Sequence, residues 1–169
     1  MLILDEVKGL GSYAGPGHWN DLDILEVGNG GMSNEEYRAH FSLWALLSAP
    51  LLAGNDLSNM SSDIKAILLN KEVIAVDQDA LGRPGALVWK DGDLEVWSKQ
   101  LADGGRAVVL LNRGAAAATI GAQWTDIGYP AGLAATVRDL WTGNQVSGRK
   151  GSYSALAPGH GVVMVTVKP

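Results

Sequence analysis

Three carboxylates lie close together in a glycine-rich segment near the start of the chain. Asp21, Asp23 and Glu26 belong to the sequence GPGHWNDLDILEVGNGGM, residues 15–32. Paired carboxylates act as acid and nucleophile in glycoside hydrolysis, and single carboxylates accept hydrogen bonds from sugar hydroxyls. The segment is therefore a candidate for either a catalytic pair or one wall of a binding site.

Strand geometry argues against a catalytic pair. The sequence HWNDLDILEV, residues 18–27, alternates as a β-strand, which places Asp21 and Asp23 on one face with Cα atoms ~6.7 Å apart. A retaining glycosidase needs carboxyl groups roughly 5–5.5 Å apart, so distance alone does not exclude the pair. The two groups must flank the anomeric carbon, however, whereas neighbours on one strand approach it from one side. Asp23 is then either a ligand contact at a strand end or a structural residue, and Asp21 is favoured as a loop-supporting residue.

The other reactive side chains form no catalytic or metal-binding pattern. His18, His40 and His160 are scattered without the spacing of metal ligands. The sequence GNGGM, residues 28–32, lacks the residues that follow a phosphate-binding loop. Trp19 is compatible with stacking on a sugar, although such a tryptophan is more often part of a core. The sequence predicts a binding surface without a catalytic set, a metal or an organic cofactor.

Composition restricts the class of partner. The net charge of −5 argues against nucleic acids and anionic membranes. The most apolar stretch, SLWALLSAPLLAG, contains Pro50 and is too short to span a bilayer. Cysteine is absent, which excludes disulfides and thiolate metal sites. The opening MLILDEVKG has acids where a signal peptide has its apolar core, so no signal peptide is expected, while localisation and oligomeric state stay open.

The first part of the chain alternates between helix and strand, which is typical of α/β folds with parallel strands. The predicted elements are a helix end near residues 3–11, a strand over 18–27, a helix from a Ser33–Glu36 capping box to about Ser48, a short buried strand LLAGND over 51–56, and a helix from about Ser62 to Leu69 ended by Asn70 in a left-handed conformation. Two parallel strands cannot close a (β/α) barrel of eight strands. This part is therefore either a small open domain or the last portion of a larger barrel.

The second part predicts an antiparallel β-sandwich or barrel. Turn sequences such as ADGG, NRGA and SGRKG recur between short runs rich in valine and leucine. The sequence GALVWKDGDLEVW predicts a hairpin with Asp91 and Gly92 at its turn. The fold class is α/β followed by all-β, with the change of pattern near Gly82 and Gly85.

Several segments resemble the α-galactosidases of glycoside hydrolase family 27. They are SYAGPGHWNDLDILEVGNGGMSNEEYRAHFSLWALLSAPLLAGNDL, EVIAVDQDALGRPG, DLEVW and VRDLW, and the family typically reads GPGGWNDPDMLEVGNGGM in the first of them. The resemblance runs essentially from end to end. It implies that residues 1–85 form the incomplete C-terminal portion of a (β/α)8 TIM barrel and that residues 86–169 form the C-terminal antiparallel β-sandwich.

The resemblance also implies a reaction and a binding wall. Members of the family are retaining hydrolases of terminal α-galactosides that use two aspartates, and this sequence lacks the motifs that carry both. We therefore assign no catalytic residue and expect the chain to be inactive alone. The family's sugar-contacting Asp-Met pair corresponds to Asp23 and Ile24. Departures from the family's pattern are His18 for glycine, Leu22 for proline and Ile24 for methionine.

Two alternatives stay open. The chain is also compatible with a non-catalytic carbohydrate-binding or interaction module, which an exposed row among Trp89, Trp97, Trp124 and Trp141 would favour. Within the family, relatives act on α-N-acetylgalactosaminides or other α-glycosides, and the residues that read the sugar's 2-substituent lie in segments that this sequence does not contain.

Overall fold

The computed structural model describes residues 2–169, and Met1, the first residue of the predicted barrel portion, lies outside the described residues. The helices are α1 (Leu2–Glu6), a short 3-10 helix (Leu10–Tyr13), α2 (Asn34–Leu46), α3 (Ser62–Leu68) and α4 (Lys71–Asp77). The strands are β1 (Ala86–Asp91), β2 (Leu94–Gln100), β3 (Arg106–Asn112), β4 (Ala118–Gln123), β5 (Ala134–Asp139), β6 (Gln145–Lys150), β7 (Ser152–Ala157) and β8 (Val162–Lys168). Among residues 2–169, no helix is long and apolar enough to cross a bilayer.

The two predicted parallel strands exist as extended segments joined at one point. Leu25 and Ala53 form a parallel bridge, in which the Leu25 N–H donates to the Leu52 carbonyl at 2.7 Å and the Gly54 N–H donates to the Leu25 carbonyl at 3.1 Å. The prediction that the second segment is buried is wrong, because the Leu52 side chain is 56 % exposed. A parallel strand is buried only where neighbours cover both of its faces, and among residues 2–169 this segment is paired with the first extended segment alone.

Helix α2 is the central element of the first part. The predicted capping box is present, since the Ser33 hydroxyl accepts from the Glu36 N–H and the Glu36 carboxylate accepts from the Ser33 N–H. From Phe41 to Leu46 every side chain is buried, and α2 packs against α3, α4, β3 and β8. The helix therefore connects the extended segments on one side with the sheet on the other.

The prediction that Asn70 ends a helix in a left-handed conformation is wrong. Its backbone is extended (φ −66°, ψ 102°), and it begins α4, a helix that the sequence pattern did not predict. The Asn70 Oδ1 accepts from the N–H groups of Glu72 and Val73, at 3.0 and 3.1 Å. Asparagine suits either end of a helix, and here its Nδ2 also donates to the Leu140 carbonyl at 2.9 Å. That second bond to the β-sheet region selects the N-terminal role.

The second part is antiparallel throughout, as predicted. A six-stranded sheet has the order β1-β2-β3-β8-β5-β6, and a two-stranded sheet pairs β4 with β7. The predicted hairpin is confirmed, because Asp91 pairs with Leu94 across a turn in which Gly92 has φ 53°. An apolar cluster that includes Val108, Ile120 and Trp124 fills the space between the two sheets.

The opposite face of the large sheet shares one core with the helices. Trp97, Val109 and Met164 belong to the same buried cluster as Phe41 and Leu43 of α2. Because the two parts are packed into one core, the division into residues 1–85 and 86–169 stays a prediction from composition and pattern.

A buried lysine strengthens the same junction. Lys99 of β2 is 1 % exposed, and its ammonium group donates to the Ser48 hydroxyl at 2.7 Å and the Val76 carbonyl at 2.6 Å. Both acceptors lie just after or at the C-terminal ends of helices, where a positive charge is favourable. Burial lowers the pKa of Lys99 to about 8, against the opposing effect of the nearby carboxylates Asp77 and Asp79.

Candidate functional site

The segment that carries Asp21 and Asp23 is a tight turn rather than a regular strand. The Asp23 N–H donates to Asp21 Oδ1 at 3.0 Å, and the Ile24 N–H donates to Asp23 Oδ1 at 2.8 Å. Asp23 has φ 74°, in the left-handed region that residues with a side chain seldom adopt. The predicted alternation therefore fails at Asp23, and the shared face assumed for the two aspartates is wrong. The Asp21 carboxylate therefore fixes the backbone that carries the Asp23 side chain.

Ile24 follows this turn and lies over the second extended segment. The side chain is 40 % exposed. A Cβ on Gly54 would lie 2.5 Å from Ile24 Cδ1 and 3.0 Å from the Leu25 carbonyl oxygen, so glycine is required for this close approach. The Ile24 side chain therefore packs directly against Gly54, while part of its surface stays accessible.

Helix α2 contacts the turn through two side chains one helical turn apart. The Trp44 Nε1–H donates to the Asp23 carbonyl at 2.9 Å, and His40 Nε2 accepts from the Glu26 N–H at 3.0 Å. The two rings lie against each other with centroids 4.0 Å apart. The backbone from Asp23 to Glu26 is therefore attached to the helix at both ends.

Asp23, Ile24 and Glu26 line a cavity of about 680 Å³ together with His40 and Trp44. This volume falls in the range of small-molecule sites. The lining also includes Ile3 and Leu4 of α1 and the polar residues Glu36, Arg113 and His160. The lining thus combines apolar side chains with several polar groups, which is the composition expected for a sugar or another polyol.

The electrostatics of the cavity lining keep His40 neutral. Burial lowers the pKa of the His40 imidazole to about 4, although the charge of Glu26 opposes the change. A neutral ring can accept the Glu26 N–H at Nε2, whereas an imidazolium cannot. At neutral pH the histidine is therefore a hydrogen-bond acceptor in this site.

Arg113 is held in the cavity lining by a network of charges. Its guanidinium donates twice to the Asp5 carboxylate, each bond 2.9 Å long, and its Nε lies 3.2 Å from Glu95 Oε1. Glu95 is fully buried and also receives Lys90 at 2.9 Å and Lys8 at 3.3 Å. Asp5 and Lys8 belong to the α1 region, so the network joins it to the sheet. These charges pair with one another and serve as structural anchors, although the Arg113 Nε–H itself makes no hydrogen bond within residues 2–169.

The structure brings some predicted residues together and leaves others apart. Asp23 and Ile24 line the cavity, while Asp21 does not line it. His18 lies in a tight loop closed by two backbone bonds with Gly15, of 2.8 and 3.0 Å. Trp19 is 41 % exposed and does not line the cavity. Among residues 2–169, no group of three or more potential metal ligands converges.

Sequence reasoning did not single out His40 and Trp44 for the site. From the sequence, His40 is of interest only as a potential metal ligand, and Trp44 only as one apolar residue of the helix that follows Ser33. Their spacing of four residues places both on one face of α2. This spacing, together with the polar edge that both ring systems carry, is the signal that could have identified them.

The tryptophans of the second part do not form an exposed row. Trp97 and Trp124 are buried, with exposures of 1 % and 0 %, and only Trp89 reaches 36 %. Trp141 is partly buried and donates to the Ser42 hydroxyl at 3.0 Å. The observation expected for a carbohydrate-binding module is therefore not met by these four residues.

Sequence comparison identifies two matching families. The family described as "Alpha galactosidase A" matches residues 3–79, and the "Alpha galactosidase C-terminal beta sandwich domain" matches residues 91–167. The α-galactosidase of Oryza sativa subsp. japonica is 50 % identical over 165 residues, which are 98 % of this chain and 39 % of the rice protein. The chain therefore spans about two fifths of the length of this relative.

Solved structures give the same result. The crystal structure of α-galactosidase I from Mortierella vinacea is 40 % identical with a TM-score of 0.95, and the match covers 98 % of this chain and 43 % of that one. The α-galactosidase of Saccharomyces cerevisiae in complex with raffinose is 27 % identical with a TM-score of 0.88, covering 99 % of this chain and 50 % of that one. The protein thus belongs to the family 27 α-galactosidases, and its fold is that of the last strands and helices of their (β/α)8 TIM barrel followed by their C-terminal antiparallel β-sandwich.

Proposed function

We propose that this chain supplies one wall of a galactose-binding site in an α-galactosidase. In this proposal the Asp23 carboxylate accepts hydrogen bonds from hydroxyls of the terminal galactose, and Ile24 packs against the sugar. The observation that carries the proposal is the turn at Asp23. Asp23 has a left-handed backbone and lines the cavity, and its Oδ2 has no hydrogen-bond partner among residues 2–169, so this oxygen can accept from a ligand.

A carboxylate held in this way can discriminate between sugars. Binding sites that hydrogen-bond a substrate hydroxyl reject analogues that lack it, because the acceptor that the ligand covers is then left unpaired. Glucose differs from galactose only in the orientation of one hydroxyl, so it is the natural competitor for a test. Ile24 is branched where the family carries a flexible methionine, which makes this part of the wall stiffer.

The proposed reaction is retaining hydrolysis of an α-galactoside. It requires one carboxyl group as nucleophile and one as acid and base, on opposite sides of the anomeric carbon. The family motifs that carry these two aspartates do not occur in the sequence of 169 residues. Asp23 belongs to the binding wall and is not proposed as either group. We therefore propose that the 169-residue chain does not cleave α-galactosides alone.

Titration of the ¹⁵N-labelled chain with D-galactose, followed by NMR, tests the binding role. We expect the amides of Asp23, Ile24 and Glu26 to shift, and glucose to produce weaker changes. Asp23→Asn should reduce the affinity for galactose, because an amide lacks the charge that strengthens the bond. Asp91→Asn in the exposed turn of the first hairpin removes the same charge elsewhere and should leave binding unchanged. Equal affinity in the wild type and in Asp23→Asn would contradict the proposal.

Hydrolysis is tested separately with a chromogenic α-galactoside. We expect no release of the chromophore by the purified 169-residue chain above the rate in buffer. Release of the chromophore above that rate by the wild-type chain would contradict the proposal that it does not cleave α-galactosides alone. N-Acetylgalactosamine should give shifts like those of galactose in the same NMR titration, because both sugars present the same axial hydroxyl and the residues that read the 2-substituent do not occur in this sequence.

A further inference from the structure

Helix α2 is attached to the candidate binding turn at two backbone points. The Trp44 indole donates to the Asp23 carbonyl, and the His40 imidazole accepts from the Glu26 N–H, at 2.9 and 3.0 Å. Residues four apart on a helix lie on one face, so the two rings contact successive points along the same extended segment. The Asp23 carbonyl accepts a hydrogen bond from Trp44, whereas the Glu26 N–H donates one to His40. The two side chains therefore fit the segment in only one register along the helix.

The backbone between the two points is in an unfavourable conformation. Asp23 has φ 74°, and residues with side chains persist in such conformations only where the surroundings impose them. The Asp21 carboxylate fixes the entry to the turn through the Asp23 N–H. The Trp44 bond fixes the carbonyl of the same residue, and the His40 bond fixes the chain two peptides after Ile24. Three side chains thus determine a turn that local preferences disfavour.

We propose that Trp44 and His40 are positioning residues that hold Asp23 and Ile24 in the conformation that binds the sugar. This inference rests on the proposed function, because it assumes that Asp23 and Ile24 contact galactose. It assigns to α2 a role besides packing: the helix sets the direction in which the Asp23 carboxylate leaves the backbone. Neither ring needs to contact the sugar for this role.

The surroundings of the two rings support a positioning role. Trp44 is 6 % exposed, so its N–H has little access to water and depends on the Asp23 carbonyl. The two rings lie 4.0 Å apart at their centroids, which restricts the orientation of the imidazole. Burial also keeps His40 neutral, with its pKa lowered to about 4, so Nε2 is available as an acceptor.

Replacing Trp44 by phenylalanine separates positioning from packing. Trp44→Phe keeps an aromatic ring against His40 but removes the N–H donor. Trp141→Phe is the matched control, because its indole also donates to α2, at the Ser42 hydroxyl, and does not bond to the turn. His40→Leu removes the second contact, and His40→Gln restores an acceptor at similar reach.

The measurements are amide hydrogen exchange of Ile24 and Glu26 and galactose titration of the full 169-residue chain. We expect Trp44→Phe and His40→Leu to speed exchange of these amides by about two- to ten-fold, the effect of one lost hydrogen bond, and to weaken galactose binding by a similar factor. Trp141→Phe should change neither quantity, and His40→Gln should recover most of the wild-type values.

Each failure has a distinct meaning. Unchanged exchange in both Trp44→Phe and His40→Leu would overturn the positioning role, whatever the sugar does. Faster exchange with unchanged galactose affinity would show that the turn need not be fixed for binding, which also overturns the inference. A wild-type chain that gives no galactose response overturns the proposed function and with it the sugar-binding part of this inference. The amides of Ile24 and Glu26 should still exchange faster in Trp44→Phe and His40→Leu in that case, so the two failures can be told apart.

Discussion

Substitution of Glu95 by glutamine should weaken the junction between the helical part and the sheet. Glu95 is fully buried and receives Lys90 at 2.9 Å, Arg113 at 3.2 Å and Lys8 at 3.3 Å. Trp97 Nε1 donates to its second oxygen at 2.9 Å. Glutamine has the same size and keeps one acceptor, so the substitution removes the negative charge with little change in packing.

The size of the expected loss in stability follows from the exposure of the cationic side chains that pair with Glu95. Removing one member of a buried ion pair costs about 3–5 kcal/mol when the other charge stays buried. Here the side chains of Lys8 and Lys90 are 26 % and 44 % exposed and can regain contact with water, while Arg113 keeps its bonds to Asp5. We therefore expect a loss of about 2 kcal/mol in the free energy of unfolding, which corresponds to a decrease in Tm of about 4–8 °C for a chain of this length.

Urea unfolding at neutral pH, followed by tryptophan fluorescence, measures this change. Burial raises the pKa of Glu95, but the bonds from Lys90 and Trp97 and the charges of Arg113 and Lys8 lower it overall, below its ordinary value of 4.5. The ionised carboxylate therefore stabilises the folded chain above pH 4.5, and this stabilisation is lost as the pH falls through the lower folded pKa. The difference between wild type and variant should accordingly shrink in acid.

The exposed Glu6 of α1 provides the control. Glu6→Gln removes the same charge near the same junction and should change the free energy of unfolding by less than about 0.5 kcal/mol. An equally small effect of Glu95→Gln would refute the view that this carboxylate joins the two parts. A large effect that is independent of pH between neutral and acid would refute the electrostatic explanation while leaving a packing role.

Two further outcomes are expected. Asn70→Ala removes the cap of α4 and the bond to Leu140, and it should lower the free energy of unfolding by about 2 kcal/mol. Asn144→Ala, at an exposed position, serves as the control. An equal effect of both substitutions would contradict the capping role. The ¹H NMR titration of His40 should show a midpoint near 4 rather than 6.5, because burial lowers its pKa. Because the unfolded chain protonates near pH 6.5 and the folded chain only near pH 4, the free energy of unfolding should fall by about 3 kcal/mol as the pH is lowered between these two values. A midpoint near 6.5 for His40 in the folded chain would contradict this.

Periodicity and capping were sufficient to predict helix α2 and the antiparallel second part, although not helix α4. The Ser33 capping box, the Asp91–Gly92 hairpin and the antiparallel character of the second part are confirmed by the structure. These features depend on local interactions, in which the residue type and its neighbours determine the outcome. The order of the strands and the core shared between α2 and the large sheet depend on contacts far apart in the sequence, which a single sequence does not specify.

The site was only partly predictable for a related reason. The residue types indicated that Asp23 could contact a ligand, but alternation suggested a regular strand where the structure has a left-handed turn at Asp23. An aspartate two residues earlier can satisfy the N–H of such a turn, so the spacing of Asp21 and Asp23 is itself a local turn signal. The contacts from His40 and Trp44 depend on how α2 packs on the segment. Asn70 was assigned to the wrong helix end because its bond to Leu140 is likewise a distant contact.

The central claim is that Asp23 and Ile24 form part of a galactose-binding wall, and intermolecular NOEs test it most directly. In a sample of the 169-residue chain with ¹³C-labelled isoleucine methyl groups, we expect NOEs between ring protons of bound D-galactose and the Ile24 δ1 methyl, and their loss in Asp23→Asn. Binding of galactose with NOEs only to methyl groups outside the cavity, or the same NOEs in Asp23→Asn as in the wild type, would contradict the account.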